Sequence, residues 1–210
     1  MSKISLAPDV AGTGIFTIAS PNSNTNRTLT LPDETGTVVT TGTTTGINAS
    51  AISTGTLASA RLPAGSVLQV VQAISTTDTT ITSTSFQDTT LTASITPSSA
   101  TSKILVFVTQ AYLVYRETSS GISCGMKILR GATGIVEHDI TPLISAAVSS
   151  GGEIATRGVW SFCYLDSPNT TSSTTYKTQS KVATSANNAQ IRLQQNGTEE
   201  GSITLMEIAA

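Results

Sequence analysis

The chain has a single histidine, His138, and it sits between two carboxylates, Glu137 and Asp139. A histidine beside acidic residues is raw material for a metal site or for general acid–base work. Strand periodicity across this stretch, however, puts both carboxylates on one face and the imidazole on the other, which splits such a site. A solvated or edge-strand histidine is therefore expected. Cleavage of a glycan needs two carboxylates a set distance apart across a groove, and Glu117, Glu137, Asp139, Glu153, Asp166, Glu199 and Glu200 show no spacing that pairs them. The chain has neither a Gly-x-Ser-x-Gly elbow nor a His-Glu-x-x-His helix, and no helix-forming run follows Gly12-x-Gly14 to make it a dinucleotide loop. Cys124 and Cys163 fall in no zinc-ligand pattern, and each lies in an apolar strand-like run. Two buried thiols are expected, with a disulfide between strands as the alternative. These readings predict no enzyme, no cofactor and no metal.

Binding without catalysis is a separate question. Tyr112, Tyr115, Trp160, Tyr164 and Tyr176 have faces that stack on sugar rings, but aromatic residues in strands more often fill cores. Only Tyr176 lies in a polar run, so it is expected to be exposed and to contact a ligand, together with Asn169 and Asn187 on loops. The stretches 118–120, 149–153, 168–173 and 187–190 are the candidate recognition loops, since the tips of a rigid scaffold vary freely.

The elements that must position these residues are strands. The sequence is rich in Ser and Thr, with 11% charged and 4% aromatic residues, against roughly 25% charged in an ordinary soluble domain. Thr favours strands, while Ser, Gly and Asn populate turns. An all-β fold follows. Candidate strands lie at 67–74, 80–86, 89–95, 103–115, 123–129, 134–140, 156–165, 174–183, 190–195 and 202–208, separated by Gly, Pro, Asn and Ser/Thr turns. This spacing predicts a β-sandwich of jelly-roll type over 66–210, with 142–148 as the one short helical candidate. With a net charge of −2 and scattered basic residues, no nucleic-acid partner is expected. The first residues lack the apolar core of a secretory signal, and no apolar run approaches the eighteen or so residues of a membrane span.

Two strands are apolar on both faces. In 104–115, Ile104, Val106, Val108, Tyr112 and Val114 share one side and Leu105, Phe107, Ala111, Leu113 and Tyr115 the other. In 159–165, Trp160, Phe162 and Tyr164 oppose Val159, Cys163 and Leu165. A sandwich strand normally has one wet face. The second face needs a cover, either a neighbouring copy or the chain's own loops. If a neighbouring copy, Leu105, Phe107, Leu113, Trp160 and Phe162 are the candidate contacts.

Upstream, the texture differs. Residues 1–45 hold short alternating scraps, with Ile15, Phe16, Ile18, Leu29 and Leu31 as their main apolar side chains. A piece with so few hydrophobes should not fold alone and needs a host surface or partner chains. Between 46 and 65, the only large apolar residues are Ile47, Ile52, Leu57 and Leu62, one every five positions. Five matches neither the helical nor the strand rhythm. Such side chains gain roughly 1.5–3 kcal/mol each only if something closes over them. Copies of the same segment are the simplest cover, which makes this stretch an oligomeric shaft. The alternative is a flexible Ser/Thr/Ala linker.

The run Asn26-Arg27-Thr28-Leu29-Thr30-Leu31-Pro32-Asp33-Glu34-Thr35-Gly36-Thr37-Val38 is followed by Asn48-Ala49-Ser50-Ala51-Ile52 and Gly55-Thr56-Leu57-Ala58-Ser59-Ala60-Arg61-Leu62-Pro63. Together these resemble the N-terminal and shaft segments of fibre and spike proteins of tailed bacteriophages. The runs 164–176 and 203–208 are similar to the C-terminal modules of such proteins. The resemblance implies a homotrimer made in the host bacterial cytoplasm and carried on the virion surface. By the same resemblance, Ile15, Phe16, Ile18, Leu29 and Leu31 would seat it on other virion proteins of the capsid or tail. The knob would project outward as a fibre or capsid decoration, or as a tail fibre meeting a host-surface glycan. The chain is shorter than a full-length tail fibre, with one shaft segment and one terminal domain.

Overall fold

The computed structural model describes residues 11–15, 17, 24–26, 28, 61–117, 122–144 and 152–210, with the side chains of 139–144 and 196 left undescribed. The chain divides into two compact units, Met1–Thr54 and Gly55–Ala210. Among the described residues, the second holds ten strands: β1 Val67–Ser75, β2 Thr79–Ile81, β3 Gln87–Ile95, β4 Lys103–Arg116, β5 Ile122–Arg130, β6 Thr133–Ile144, β7 Ile154–Asp166, β8 Thr174–Val182, β9 Gln190–Leu193 and β10 Gly201–Ile208.

The strands form because apolar and hydroxyl residues alternate along them. In β10, Ile203 and Leu205 are buried while Ser202, Thr204 and Met206 face outward. β4 buries Ile104, Val106, Val108 and Val114 on its inner face. All pairings are antiparallel. One sheet is ordered β3-β8-β5-β6. In the other, β4 pairs β7 along one edge, and along its other edge it pairs β10 from Lys103 to Gln110 and β9 from Tyr112 to Tyr115. β9 and β10 therefore lie in line, as do β1 and β2 beyond them. Counted as rows, the first sheet reads β1/β2, β10/β9, β4, β7. Two four-row sheets, with the chain passing from one to the other in this order, make an eight-row jelly roll whose first and last rows are each broken once.

The core between the sheets is built from Leu91, Ile95, Ile104, Val106, Ile122, Met126, Ile128, Tyr176, Ile191, Leu193, Ile203 and Leu205, all with little or no exposure. Two glycines serve close approach. A Cβ on Gly158 would come 2.5 Å from the hydroxyl of Tyr112, its register partner on β4. A Cβ on Gly201 would collide with the buried Gln194 side chain.

Of the stretch 142–148 expected as a helix, 142–144 is strand, because β6 runs on to Ile144, past Pro142, and 145–148 lie outside the described residues. β6 is an edge strand, where a proline costs no ladder hydrogen bond. The strand expected over 80–86 is confined to Thr79–Ile81. Beyond it, Ser83 accepts a backbone hydrogen bond from Val182, and Phe86 lies beneath the ammonium groups of Lys127 and Lys181, at 4.1 and 4.6 Å.

Candidate interaction surfaces

The two ends of the sandwich differ. At the root end, where the chain runs into β1, Gly65 N–H donates to Ala209 O and Ala209 N–H to Ser66 O, at 2.8 and 2.9 Å. Here Glu207, buried in β10, accepts from Ser98 N–H and Ser98 Oγ, each at 2.7 Å, and from Gln69 Nε2 at 2.6 Å. Burial pushes the Glu207 carboxyl up, but the Ser98, Gln69 and Ser102 donors outweigh it and hold the group below its ordinary value. Beside it, Arg130 Nη1 of β5 lies 2.8 Å from both carboxylate oxygens of Asp166, the last residue of β7. Asp166 also accepts from the Tyr176 hydroxyl at 2.7 Å. This triad ties the sheets together at one end.

Tyr176 is thus not the exposed ligand contact expected of it. It has no exposure. Its place on β8 alternates in register with Thr178, Ser180 and Val182, all buried, and Asp166 satisfies its hydroxyl. Asn169 does sit on an exposed loop, with φ of 52°, but at this root end.

At the far end, the candidate loop 187–190 lies beside Glu117 and residues 152–153 lead into β7, while 168–173 is at the root end; 118–120 and 149–151 lie outside the described residues. Asn187 is exposed with φ of 55°, and its carbonyl accepts from Glu117 N–H at 2.8 Å. Asn188 Nδ2 donates to Glu117 Oε1 at 3.0 Å, and the Tyr115 hydroxyl also points to that carboxylate. Glu153, accepting from the Tyr115 hydroxyl, leads the influences that push that phenol up to about 12; burial and the charge of Glu117 add to it.

His138 lies on the inner side of β6, opposite Met126, and its ring meets Phe162 edge-on at 4.8 Å, with Trp160 behind. Glu137 pairs with Lys127 on the other side. Among the described residues, no three His, Cys, Asp or Glu side chains gather closely enough to hold a metal ion, and no helix is long and apolar enough to cross a membrane. Both cysteines are free. Cys124 is buried, and desolvation pushes its thiol up to about 12. Cys163 is exposed, contrary to the expectation of two buried thiols. It points outward because β7 turns Trp160 and Phe162 to the core side instead.

The five candidate knob contacts therefore separate. Trp160 is buried and Phe162 half-buried within the molecule, against His138 and the core. Leu113, on the outer side of β4, is also buried. The excursion 194–200 between β9 and β10 lies alongside it, anchored by Gln194 N–H donating to Ala111 O at 3.3 Å and by the Arg157–Glu199 ion pair. That is the chain's own cover, and it stops there. Leu105 and Phe107 remain on the outer face, in register with Leu165 and Cys163 of β7 and with Met206 and Thr204 of β10. Val70, Ile74, Val159 and Leu165 share this face and are exposed; the sequence set Val159 and Leu165 on one side of their strand without choosing them as contacts, and it missed Val70 and Ile74. Parity with Phe107 through the strand register would have found them.

Of the shaft residues, Leu62 is half-buried, whereas Ile47, Ile52 and Leu57 lie outside the described residues. Of the anchoring set, Ile15 is 93% exposed, and Phe16, Ile18, Leu29 and Leu31 lie outside the described residues.

No protein-family model and no curated protein matches the chain. Solved structures with some likeness include chains of infectious bursal disease virus. One, from the Gx strain, is 12% identical with a TM-score of 0.26, covering 69% of this chain and 37% of that one. Another, from the Gt strain, is 14% identical with a TM-score of 0.24, covering 64% and 38%. A third, from T=1 particles derived from the virus, is 12% identical with a TM-score of 0.23, covering 66% and 36%. The chain thus spans less than two fifths of these relatives' length. A likeness this shallow carries no functional weight, and the jelly roll stands on its own strand order.

Proposed function

We propose that the protein is a structural component of a bacteriophage virion, a short homotrimeric fibre or capsid decoration. Its first 45 or so residues seat on capsid or tail proteins, residues 46–65 form a shared shaft, and the jelly roll projects outward as the knob. The observation that carries the reading is the division of the sandwich into a root end, where the chain runs into β1, and an opposite end, where the exposed turn 185–188 meets Glu117. The resemblance of 26–38 and 48–63 to phage fibre segments agrees with it, and jelly rolls are a common scaffold of viral surface proteins. Catalysis, a cofactor and membrane insertion form no part of the proposal, and no nucleic acid is a partner. Electron microscopy of the particle, with a label on the C-terminus, is the test. Label at regular positions on the capsid or tail supports the reading, while particles without label overturn it.

A second role within this reading is attachment to a host-surface glycan by the far-end loops. The exposed, left-handed Asn187 and Asn188 beside Glu117 favour it, since they place donors and acceptors toward solvent. Purified protein should then bind host cells and compete with phage adsorption. Absence of competition assigns the protein to decoration.

A further inference from the structure

The outer faces of the two sheets have opposite character. On the β3-β8-β5-β6 sheet, the outer positions include Asp88, Lys127, Glu137, Lys177 and Lys181, with Lys177 paired to Asp88 at 2.7 Å. That face is built for water. On the other sheet, between the root end and the 194–200 excursion, the outer positions of β1, β10, β4 and β7 carry apolar and hydroxyl side chains and one amide, Gln72, which donates to Thr204 Oγ1 at 3.0 Å. Val159 is 61% exposed, Ile74 57%, Val70 55%, Leu165 47% and Phe107 40%. These lie in adjacent rows, because Val70 pairs with Met206, Met206 with Leu105 and Leu105 with Leu165.

We propose that this face is a self-association surface. In the assembly, each copy of the chain turns Val70, Ile74, Phe107, Val159, Cys163 and Leu165 toward the same face of its neighbours around a common axis. The inference rests on the trimer reading above, and it replaces Leu113, Trp160 and Phe162 as knob contacts with residues that are free to make one.

Charge selects the occupant first. A charged partner seated here would bury its charges without counter-ions, at a cost of several kcal/mol each. An identical face brings none. Area selects it next. At ordinary strand spacing and rise, the patch measures about 400 Å² in projection, about half of the ~800 Å² that each partner contributes to a standard interface. A freely diffusing protein would be held weakly. A copy already tethered through the shaft faces a local concentration in the millimolar range, at which a weak contact closes. The small uncovered patch therefore fits another copy of this chain better than an independent ligand.

Cys163 reports on the face, and buried Cys124 serves as the internal control for folding. The experiment labels the full-length protein with a maleimide while light scattering records its mass. In the wild-type assembly, Cys163 should react at least about tenfold more slowly than in a dissociated shaft variant, Ile52→Asp with Leu57→Asp. Phe107→Lys and, separately, Val159→Lys should restore fast labelling of Cys163, with Cys124 still unreactive. Both positions face solvent in the single chain, so folding should survive either change. Fast Cys163 labelling in a wild-type multimer overturns the inference while leaving the trimer reading standing. A wild-type single chain with fast labelling overturns both. Slow labelling in a single chain, or slow labelling that neither lysine variant relieves, shows that something else covers the face and overturns the inference.

Discussion

Asp166 is the residue on which the root end of the sandwich turns. It is nearly buried, pairs with Arg130 at 2.8 Å and accepts from the Tyr176 hydroxyl at 2.7 Å. Replacing it with Ala leaves the buried Tyr176 phenol without this acceptor and a part-exposed guanidinium with Ser167 O and water, so Asp166→Ala should lower stability by about 2–3 kcal/mol. Tyr176→Phe, which removes one hydrogen bond and leaves the ion pair, should cost about 1 kcal/mol. Urea unfolding of the two variants checks both figures, and equal losses would contradict the triad. Glu207 gives a pH signature. Its folded pKa lies below the ordinary value of 4.5, so its contribution is present above the unfolded pKa and is lost as pH falls through the folded one. Melting temperature should therefore drop between about pH 5 and 3 more steeply in the wild type than in Glu207→Gln. Asp88, held low by its hydrogen bonds to Lys177 and Gln179, titrates in the same direction, which makes Asp88→Asn the companion variant. None of this pairing was legible beforehand. Tyr176 lies among Ser and Thr and reads as a surface residue, because Thr178 and Ser180 occupy core positions that hydroxyl types usually avoid. Thr178 Oγ1 donates to Gln110 Oε1 at 3.1 Å and Ser180 Oγ to Gly125 O at 2.9 Å, and these bonds let hydroxyls stand inside.

At the scale of elements, alternation and turn residues were enough to place the strands, and β4, β8 and β10 fall within a residue or two of where their patterns put them. Within the stretch 142–148 expected as helical, 142–144 belongs to β6, an edge strand that tolerates Pro142. Cys163 read as buried because a strand apolar on both sides does not say which side meets the core; the register with β4 decides that. Register also explains Gly158. The Tyr112 ring lies over it, and an added methyl meets the hydroxyl at 2.5 Å. Gly158→Ala should cost about 1–3 kcal/mol, and less in a Tyr112→Leu background. A double-mutant cycle measures that coupling, and additive losses would show that the ring and the glycine are independent.

At the scale of the whole molecule, the account rests on apolar side chains that one chain leaves in water. Within the jelly roll, these are the outer residues of β1, β4 and β7. Upstream, the five-residue spacing of Ile47, Ile52, Leu57 and Leu62 poses the same demand from the sequence alone. If both demands are met by identical copies, Ile52→Asp together with Leu57→Asp should dissociate the assembly, since each buried carboxylate would face its own copies across the axis. Circular dichroism should still report the β-rich knob. The most direct measurement is the mass of the full-length wild-type protein in solution by light scattering. The account predicts three times the 21.6 kDa of one chain, and a particle that stays at the mass of a single chain as concentration rises would contradict it.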